Sequence, residues 1–543
     1  MRRIFIIGGY GGFGARLTRR LLGDGHRVVV VGRSMAKATA FCVANPGAEP
    51  LVADRTNGIG LAIARERPDL VVDAAGPFQA SGYIVPEACI AMRVPYLDLA
   101  DARDFVTGIA ALDAAAREAG VALISGASSV PALSGAVTRS LTADMDRVDS
   151  VEMAISASNR ASAGASVAAA ILSYVGQPVK LWRGKRWAGT FGWQEMRRER
   201  FLLDDGYGLR RRLVAIADVP DHAIAPEALP GRPSVTFRAG TELGFQMRAL
   251  WLASWPVRWG WVVSLSSASR WLLPLYRATL GLGGDRSGMQ VTVKGSPGDR
   301  LVERRWTLVA SQGDGPETPL LAAHLLARDI LEGRVLPGAR HAWSELTLDR
   351  FEPLFAALAI RHETVERALP PRLYARVMGT RFAALPPLVR AMHEVNGDGG
   401  AQGEGTVARG RNPIAQLMVT MMGMPHSDTT PLHVSFAERD GVEIWTRDFG
   451  GHCFRSELGE STGCAVERWG ALRFAFDLPS DEAGLHMVLR RWSLFHIPLP
   501  RLLAPRIQAR EWEEDGWFRF EVEIAMPVIG RIVGYSGRLR RCD

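Results

Sequence analysis

The sequence predicts an α/β chain with an N-terminal Rossmann-type, doubly wound parallel sheet, an α+β substrate-side domain and a C-terminal, mainly antiparallel β domain. Three observations predict it. An apolar strand runs into a glycine-rich turn and a helix at the very start, Arg3 to Leu22. Apolar strand segments then alternate with helical ones up to about residue 124, the rhythm of a parallel sheet covered by helices. Beyond Pro370-Pro371, short strand-like runs follow one another with turn residues between them, as in antiparallel sheets. The domains expected are 1–140, 141–365 and 370–543. With 543 residues the chain is too long for one core.

The opening turn carries the most chemistry. Gly9, Gly11 and Gly14 fit the G-x-G-x-x-G spacing, within Gly9-Tyr10-Gly11-Gly12-Phe13-Gly14. Gly9 is expected to permit a tight turn, Gly11 to let the backbone approach a pyrophosphate, and Gly14 to let helix and strand pack closely. The helix after it would aim free N–H groups at the phosphates. A second strand, Arg27 to Val31, ends in Gly32-Arg33-Ser34. An acid there would grip the ribose 2′-hydroxyl of NAD, whereas Arg33, with Ser34 and Lys37 as helpers, suits the 2′-phosphate of NADP. NADP is therefore expected over NAD.

The next elements follow in order. Pro50 to Asp54 is a short strand ending in Asp54, Gly58 to Arg65 a helix, and Asp69 to Phe78 a buried strand stopped by Gly76-Pro77. Ile84 to Met92 is helical, Val94 to Leu99 a strand, Phe105 to Ala119 a helix and Val121 to Ile124 a strand. Gly9 to Gly14, Arg33, Asp54, Ala75, Gly76, Pro77, Phe78 and Asp98 all fall at strand C-termini, where ligands of such sheets bind. Tyr96, Asp98 and Asp101 are the candidate proton carriers. Ser128 and Ser129 could touch cofactor or substrate, or cap a helix. No Tyr is followed four residues on by Lys, so a Tyr-x-x-x-Lys mechanism is disfavoured.

These residues also carry a resemblance. Gly9 to Gly14, Gly32-Arg33-Ser34, Asp73 to Phe78, Ala88 to Ala91, Tyr96 to Asp101 and Ala115 to Val121 resemble the NADP-binding domain of the saccharopine dehydrogenase (saccharopine reductase-like) family. The resemblance implies that Gly76-Pro77-Phe78 lies beside the nicotinamide. Ala100-Asp101 stands where that family usually has Gly-Glu. Trp306 to Ala310, Gly313 to Pro316 and the helix Pro319 to Leu331 resemble its returning segment, which packs back on the nucleotide domain. Trp445 to Gly451 and Gly534 to Gly537 resemble an uncharacterised bacterial domain fused to such modules, which implies architecture and no chemistry.

Between these parts lies Leu250 to Leu282. Trp251, Trp255 and Trp259 recur every four residues, with Trp261 and Trp271 nearby and Pro256 and Pro274 as breaks. The run between Arg258 and Arg270 is too short to span a bilayer. Two readings stand: a core or homodimer-interface element, or an interfacial helix making peripheral membrane contact through 250–282, or a hydrophobic funnel. In the last domain, Phe382 to Glu394 is expected helical and Gly397 to Gly405 a loop. A strongly curved β domain there could enclose an apolar ligand.

Composition excludes some classes. The net charge of +8 has no basic tail or RNA-reading motif behind it, so nucleic acid is not an expected partner. The five cysteines make no C-x-x-C pair, and no metal is expected. His426, His433 and His452 lack ligand spacing, and the His452-Cys453 pair would face opposite ways on a strand. The cysteine usage and absence of a secretory signal predict a cytoplasmic protein, peripheral to the inner face of the membrane if the tryptophan segment meets lipid. The expected function is an NADP-dependent oxidoreductase acting on a small, hydrophobic carbonyl, imine or alkene. The alternatives are a non-catalytic NADP-binding module, regulatory or membrane-tethered, and a lipid-binding protein acting through its β domain.

Overall fold

The computed structural model describes residues 1–79, 81–160, 165–266, 274, 278–421, 423–425, 427–495 and 497–542. Six strands open the chain: β1 (Arg3–Ile7), β2 (Arg27–Gly32), β3 (Ala48–Val52), β4 (Leu70–Asp73), β5 (Tyr96–Asp98) and β6 (Ala122–Ser125). All pair in parallel, in the order β6-β5-β4-β1-β2-β3. The strands are apolar throughout because helices cover both faces; Ile4 to Ile7 and Val28 to Val31 are buried. Helix α1 (Gly12–Gly23) follows β1 and α2 (Met35–Val43) follows β2.

A seventh strand, Gly338–His341, adds to β6 in parallel after an excursion of some two hundred residues. The helix Thr318–Leu331 leads to it, almost wholly buried. Glu317, at its start, holds both Arg16 and Arg20 of α1 at 2.6 Å, and His324 meets Asp24 at 2.6 Å. The first domain is thus closed by chain from the far side of the second. The expected helix Phe105 to Ala119 is broken into Arg103–Gly108, a 3-10 turn Ile109–Leu112 and Asp113–Ala119. Asp54 lies past the end of β3.

The middle domain is a seven-stranded mixed sheet in which Arg147–Ser156 is central. It pairs in parallel with Ser234–Gly240 and antiparallel with Ser287–Ser296. The C-terminal domain is an antiparallel sheet of twelve strands. Ten of them close a barrel, since Asp398–Arg409 pairs with Gly530–Cys542 and Leu472–Asp477 with Gly484–Leu494. Closure leaves no bare edge. Aromatic side chains fill the lumen, among them Phe436, Trp445, Phe449, Phe474, Phe518 and Tyr535. Arg186 to Asp448 (2.6 Å) and Lys294 to Glu438 (2.7 Å) join barrel and middle domain.

Two expectations fail here. Gly397 to Gly405 is largely strand, Asp398–Arg409, not loop. Its glycines answer to crowding: a Cβ on Gly400 would lie 2.1 Å from the Gly184 carbonyl oxygen, and one on Gly403 1.9 Å from that of Arg538. Phe382 to Glu394 is not one helix. A 3-10 segment Gly379–Ala384 ends before Pro386, and a helix restarts at Pro387–Met392. The His426 reading and much of the expected span Leu250 to Leu282, including Trp271, lie outside the described residues.

Gly403→Ala is therefore expected to destabilise the barrel by about 1–3 kcal/mol, the usual cost of overpacking. Gly189→Ala, where a new Cβ meets nothing within 4 Å, serves as the neutral control. Chemical denaturation of the two variants checks this.

Candidate active site

The C-terminal edge of the parallel sheet assembles the candidate site. Gly8, not Gly9, takes the left-handed backbone (φ +76°) that turns β1 toward α1, and its N–H donates to the Val31 carbonyl at 2.8 Å. Gly9 answers to space: its Cβ would lie 3.0 Å from the Ile6 carbonyl oxygen and 3.2 Å from Val30. The Cβ of Gly14 would lie 2.1 Å from the Gly8 carbonyl oxygen, so only glycine lets helix and strand approach this closely.

Helix α1 starts at Gly11 with no side-chain cap and no acid in its first turn. Its first N–H groups thus face the strand edge without an internal acceptor, the condition for binding an anion. Tyr10 lies across Gly32, where a Cβ would strike its ring at 2.3 Å, and its hydroxyl accepts from the Ser34 N–H at 3.2 Å. Ser34 caps α2, accepting from the Lys37 N–H at 3.4 Å. The side chains of Arg33 and Lys37 are exposed and have no hydrogen-bond or ion-pair partner among the described residues. Asp54 closes a local turn, accepting from the Thr56 N–H at 2.8 Å and hydroxyl at 2.7 Å. Thr56, then Arg33, hold its carboxyl below the usual range.

Arg55, which the sequence did not single out, organises the loop after β4. Its Nε meets the fully buried Asp73 at 2.6 Å, Nη1 donates to the Ala75 carbonyl and the Ser81 hydroxyl, and the guanidinium lies 4.5 Å over the Phe78 ring. Asp73 also accepts from the Ala75 N–H at 3.0 Å. Phe78 is buried against Ala100, Ala102, Phe105 and Val106. Its ring braces the Ala75 to Pro77 backbone from below.

The proton carriers need correction. Tyr96 is fully buried among Phe5, Val71 and Cys89, and its hydroxyl has no hydrogen-bond partner among the described residues. Burial drives that phenol far above its ordinary range. It is a core residue and does not face the ligand edge. Asp98 is also fully buried; one carboxylate oxygen accepts from the N–H groups of Ala100 (2.9 Å) and Gly126 (2.8 Å). Burial, opposed by these two donors, raises it to about 6. It ties together the loops after β5 and β6. Ser129 is likewise buried.

Asp101 alone keeps an exposed edge. It accepts from Gln79 Nε2 at 3.4 Å, and the same amide donates to the Tyr174 hydroxyl at 2.9 Å. Tyr174 ends the helix Ala165–Tyr174 of the middle domain. Burial first, then Asp101, raises its phenol. Sequence reasoning missed Tyr174 because nothing local to it signals chemistry; only the fold brings it to residue 79. Beside it Arg103 clamps the two domains, donating to the Lys180 carbonyl at 2.8 Å and meeting Asp218 and His222. His222 is fully buried; its Nε2 accepts from the Phe237 N–H at 2.9 Å, and its Nδ1 lies 2.9 Å from Arg103 Nη2 and 3.3 Å from Asp218.

The geometry can now be set beside known proteins. Residues 4–124 match the saccharopine dehydrogenase NADP binding domain. This saccharopine dehydrogenase-type domain carries the turn, Arg33 and the Asp73 to Phe78 strand end. Residues 385–539 match a domain of unknown function (DUF4166), which coincides with the barrel. No curated protein matches the chain. Among solved structures it is similar to the apo saccharopine dehydrogenase (L-Glu forming) of Saccharomyces cerevisiae, at 12% identity over 67% of this chain and 100% of that one (TM-score 0.46). It is similar also to the WlbA dehydrogenase of Thermus thermophilus solved with NAD and alpha-ketoglutarate, at 11% identity over 66% and 92% (TM-score 0.31). A dehydrogenase from Chromobacterium violaceum shares 13% over 57% and 75% (TM-score 0.29). Likenesses this loose carry no argument.

Among the described residues no three His, Cys, Asp or Glu side chains gather as metal ligands. An open cavity of about 890 Å³, lined by Arg2, Asp24, His26 and Arg328, lies at the opposite edge of the sheet, away from these strand C-termini.

The buried His222 gives a pH test of the clamp. Burial lowers it from 6.5 to about 4, so between these values the unfolded chain binds a proton that the folded one resists. Its contribution to stability falls as pH drops from 6.5 to 4, by about 3 kcal/mol in all. The difference in urea midpoint between the protein and His222→Gln should shift in that sense across this window and stay constant above pH 7.

Proposed function

We propose that the protein is an NADP-dependent oxidoreductase acting on a lipophilic carbonyl, imine or alkene. One observation carries this reading: an uncapped, acid-free helix start behind a glycine turn, beside an arginine whose side chain makes no hydrogen bond or ion pair among the described residues. Both features fit the group. The backbone N–H groups of Gly12, Phe13 and Gly14 suit a pyrophosphate, and Arg33 offers a planar fork to a 2′-phosphate. Lys37, one turn into α2, adds charge on the same side. Asp54, bonded to Thr56, lies within electrostatic reach of Arg33 and limits how close a phosphate could come on that side. Bound NADPH would supply the hydride.

The chain's own residues would manage the proton. Gln79 follows Phe78 by one residue and aligns the Tyr174 hydroxyl. Tyr174, held protonated by burial and by Asp101, suits a proton donor to a reduced substrate oxygen or nitrogen. Asp101, with its exposed edge, suits the return of that proton from solvent. The apolar cluster that begins one residue past Tyr174, where Val175 packs with Trp193 and Met247, supports a lipophilic substrate over a polar dicarboxylate. The aromatic-lined cavity in the barrel has a volume of about 60 Å³, too small for a large lipid.

NADPH emission should be enhanced and blue-shifted on titration with the protein. Arg33→Ala should weaken NADPH by about tenfold or more, one charge-assisted pair, and NADH by much less. Equal losses for the two nucleotides would reject the 2′-phosphate role. With any carbonyl substrate that is turned over, Tyr174→Phe should lower kcat by about a hundredfold while leaving the Kd for NADPH unchanged. Unchanged kcat would remove Tyr174 as the donor.

A further inference from the structure

The helix Gly244–Arg258 and the loop after it present an apolar face to solvent that the reaction does not use. Met247, Ser254 and Val257 bury the inner face, and Met247 joins Val175, Trp193 and Ala215. Helices normally turn polar residues outward. Here Phe245, Leu252 and Trp259 point out at 53, 62 and 54% exposure, seven residues apart and so on one line along the helix. Trp261 and Val263 extend it at 74 and 90%.

The tryptophans are ordered by one another. Trp251, Trp255, Trp259 and Trp261 form a ladder with ring centroids 5.6, 5.3 and 4.8 Å apart. The Arg258 guanidinium lies over Trp255 at 4.9 Å and over Phe191 at 4.8 Å. Arg248 and Arg258 are exposed beside the apolar line. From Leu243 to Gly284 the sequence holds four arginines and no aspartate or glutamate.

We propose that this face docks on an anionic lipid surface, with Trp259, Trp261 and Val263 seated at the level of the headgroups. Tryptophan suits that boundary, and exposed arginines rimming an apolar line suit acidic headgroups. Charge decides between lipid and a second copy of the chain. An isologous contact would set Arg248 and Arg258 against their own images with no acid in the segment to pair them. No helix among the described residues is long and apolar enough to cross a membrane, and this one, of 15 residues, would lie on the surface.

The same helix touches the candidate site. A Cβ on Gly176 would lie 2.5 Å from the Ser254 carbonyl oxygen, and Gly176 is two residues past Tyr174. A lipid-borne substrate would arrive close to the proposed proton donor. That link rests on the oxidoreductase reading; the docking itself does not.

Co-sedimentation of the full chain with vesicles of phosphatidylcholine, with or without phosphatidylglycerol, tests it. The protein should pellet with the anionic vesicles, release at high salt and blue-shift its tryptophan emission. Trp261→Ser with Val263→Asp should weaken partition by about tenfold or more. Arg248→Glu with Arg258→Glu should weaken it similarly and flatten the salt dependence. Val528→Asp, at a fully exposed barrel turn, should change nothing. The thermal midpoint checks that each variant is folded; a small drop is expected for the variants carrying Trp261→Ser or Arg258→Glu, which lose ring stacking on Trp259 or on Trp255 and Phe191. Failure of the parent to pellet with anionic vesicles overturns the proposal, as does equal pelleting of the Trp261/Val263 variant. A dimer that Val263→Asp converts to monomer would assign the face to a second copy. NADPH binding is read separately, so loss of docking and loss of cofactor binding are distinguishable.

Discussion

The close approach of α1 to β1 at Gly14 is the constraint on which the site depends. With the Gly8 carbonyl oxygen only 2.1 Å from where a Cβ would stand, any side chain at 14 would push the helix off the strand. The helix start would then no longer face the strand edge. Two further contacts hold α1 from its other side. Glu317 grips Arg16 and Arg20, and His324 grips Asp24. The turn is thus positioned partly by residues three hundred places away, which ties the site to completion of the whole first domain.

A second dependence runs through Arg55. The Asp73 carboxylate is fully buried, and Arg55 with the Ala75 N–H supplies its compensation. By spending its charge there, Arg55 sets the course of Ala75 to Phe78. Gln79 then reaches across to Tyr174. Arg103, with Asp218 and His222, fixes the two domains at the distance this contact requires. A proton donor from one domain and a glycine turn from the other meet because these buried pairs are satisfied.

Much of this was legible in the sequence where periodicity is strong. The alternation of apolar strands and helices gave the parallel sheet, and the Gly14 packing role followed from spacing alone. The left-handed residue of the turn is Gly8, one position before the first glycine of the motif, and the motif's spacing does not mark it. A strand end looks the same whether its side chains face a ligand or the core; packing on Phe5 and Cys89 buries Tyr96, and the Ala100 and Gly126 N–H groups hold Asp98. Tyr174 and Arg55 were invisible because their partners are distant in sequence. The Gly397 to Gly405 run looks like loop, yet Gly403 and Gly400 serve neighbours 135 and 216 positions away, Arg538 and Gly184.

Hydrogen exchange read by mass spectrometry, with and without NADPH, tests the central claim most directly. The account predicts added protection in peptides covering Gly8 to Ala15, Gly32 to Lys37 and Ala74 to Gln79, and none in the barrel strands. Protection confined to the barrel, or absent from the Gly8 to Ala15 peptide at saturating NADPH, would contradict it.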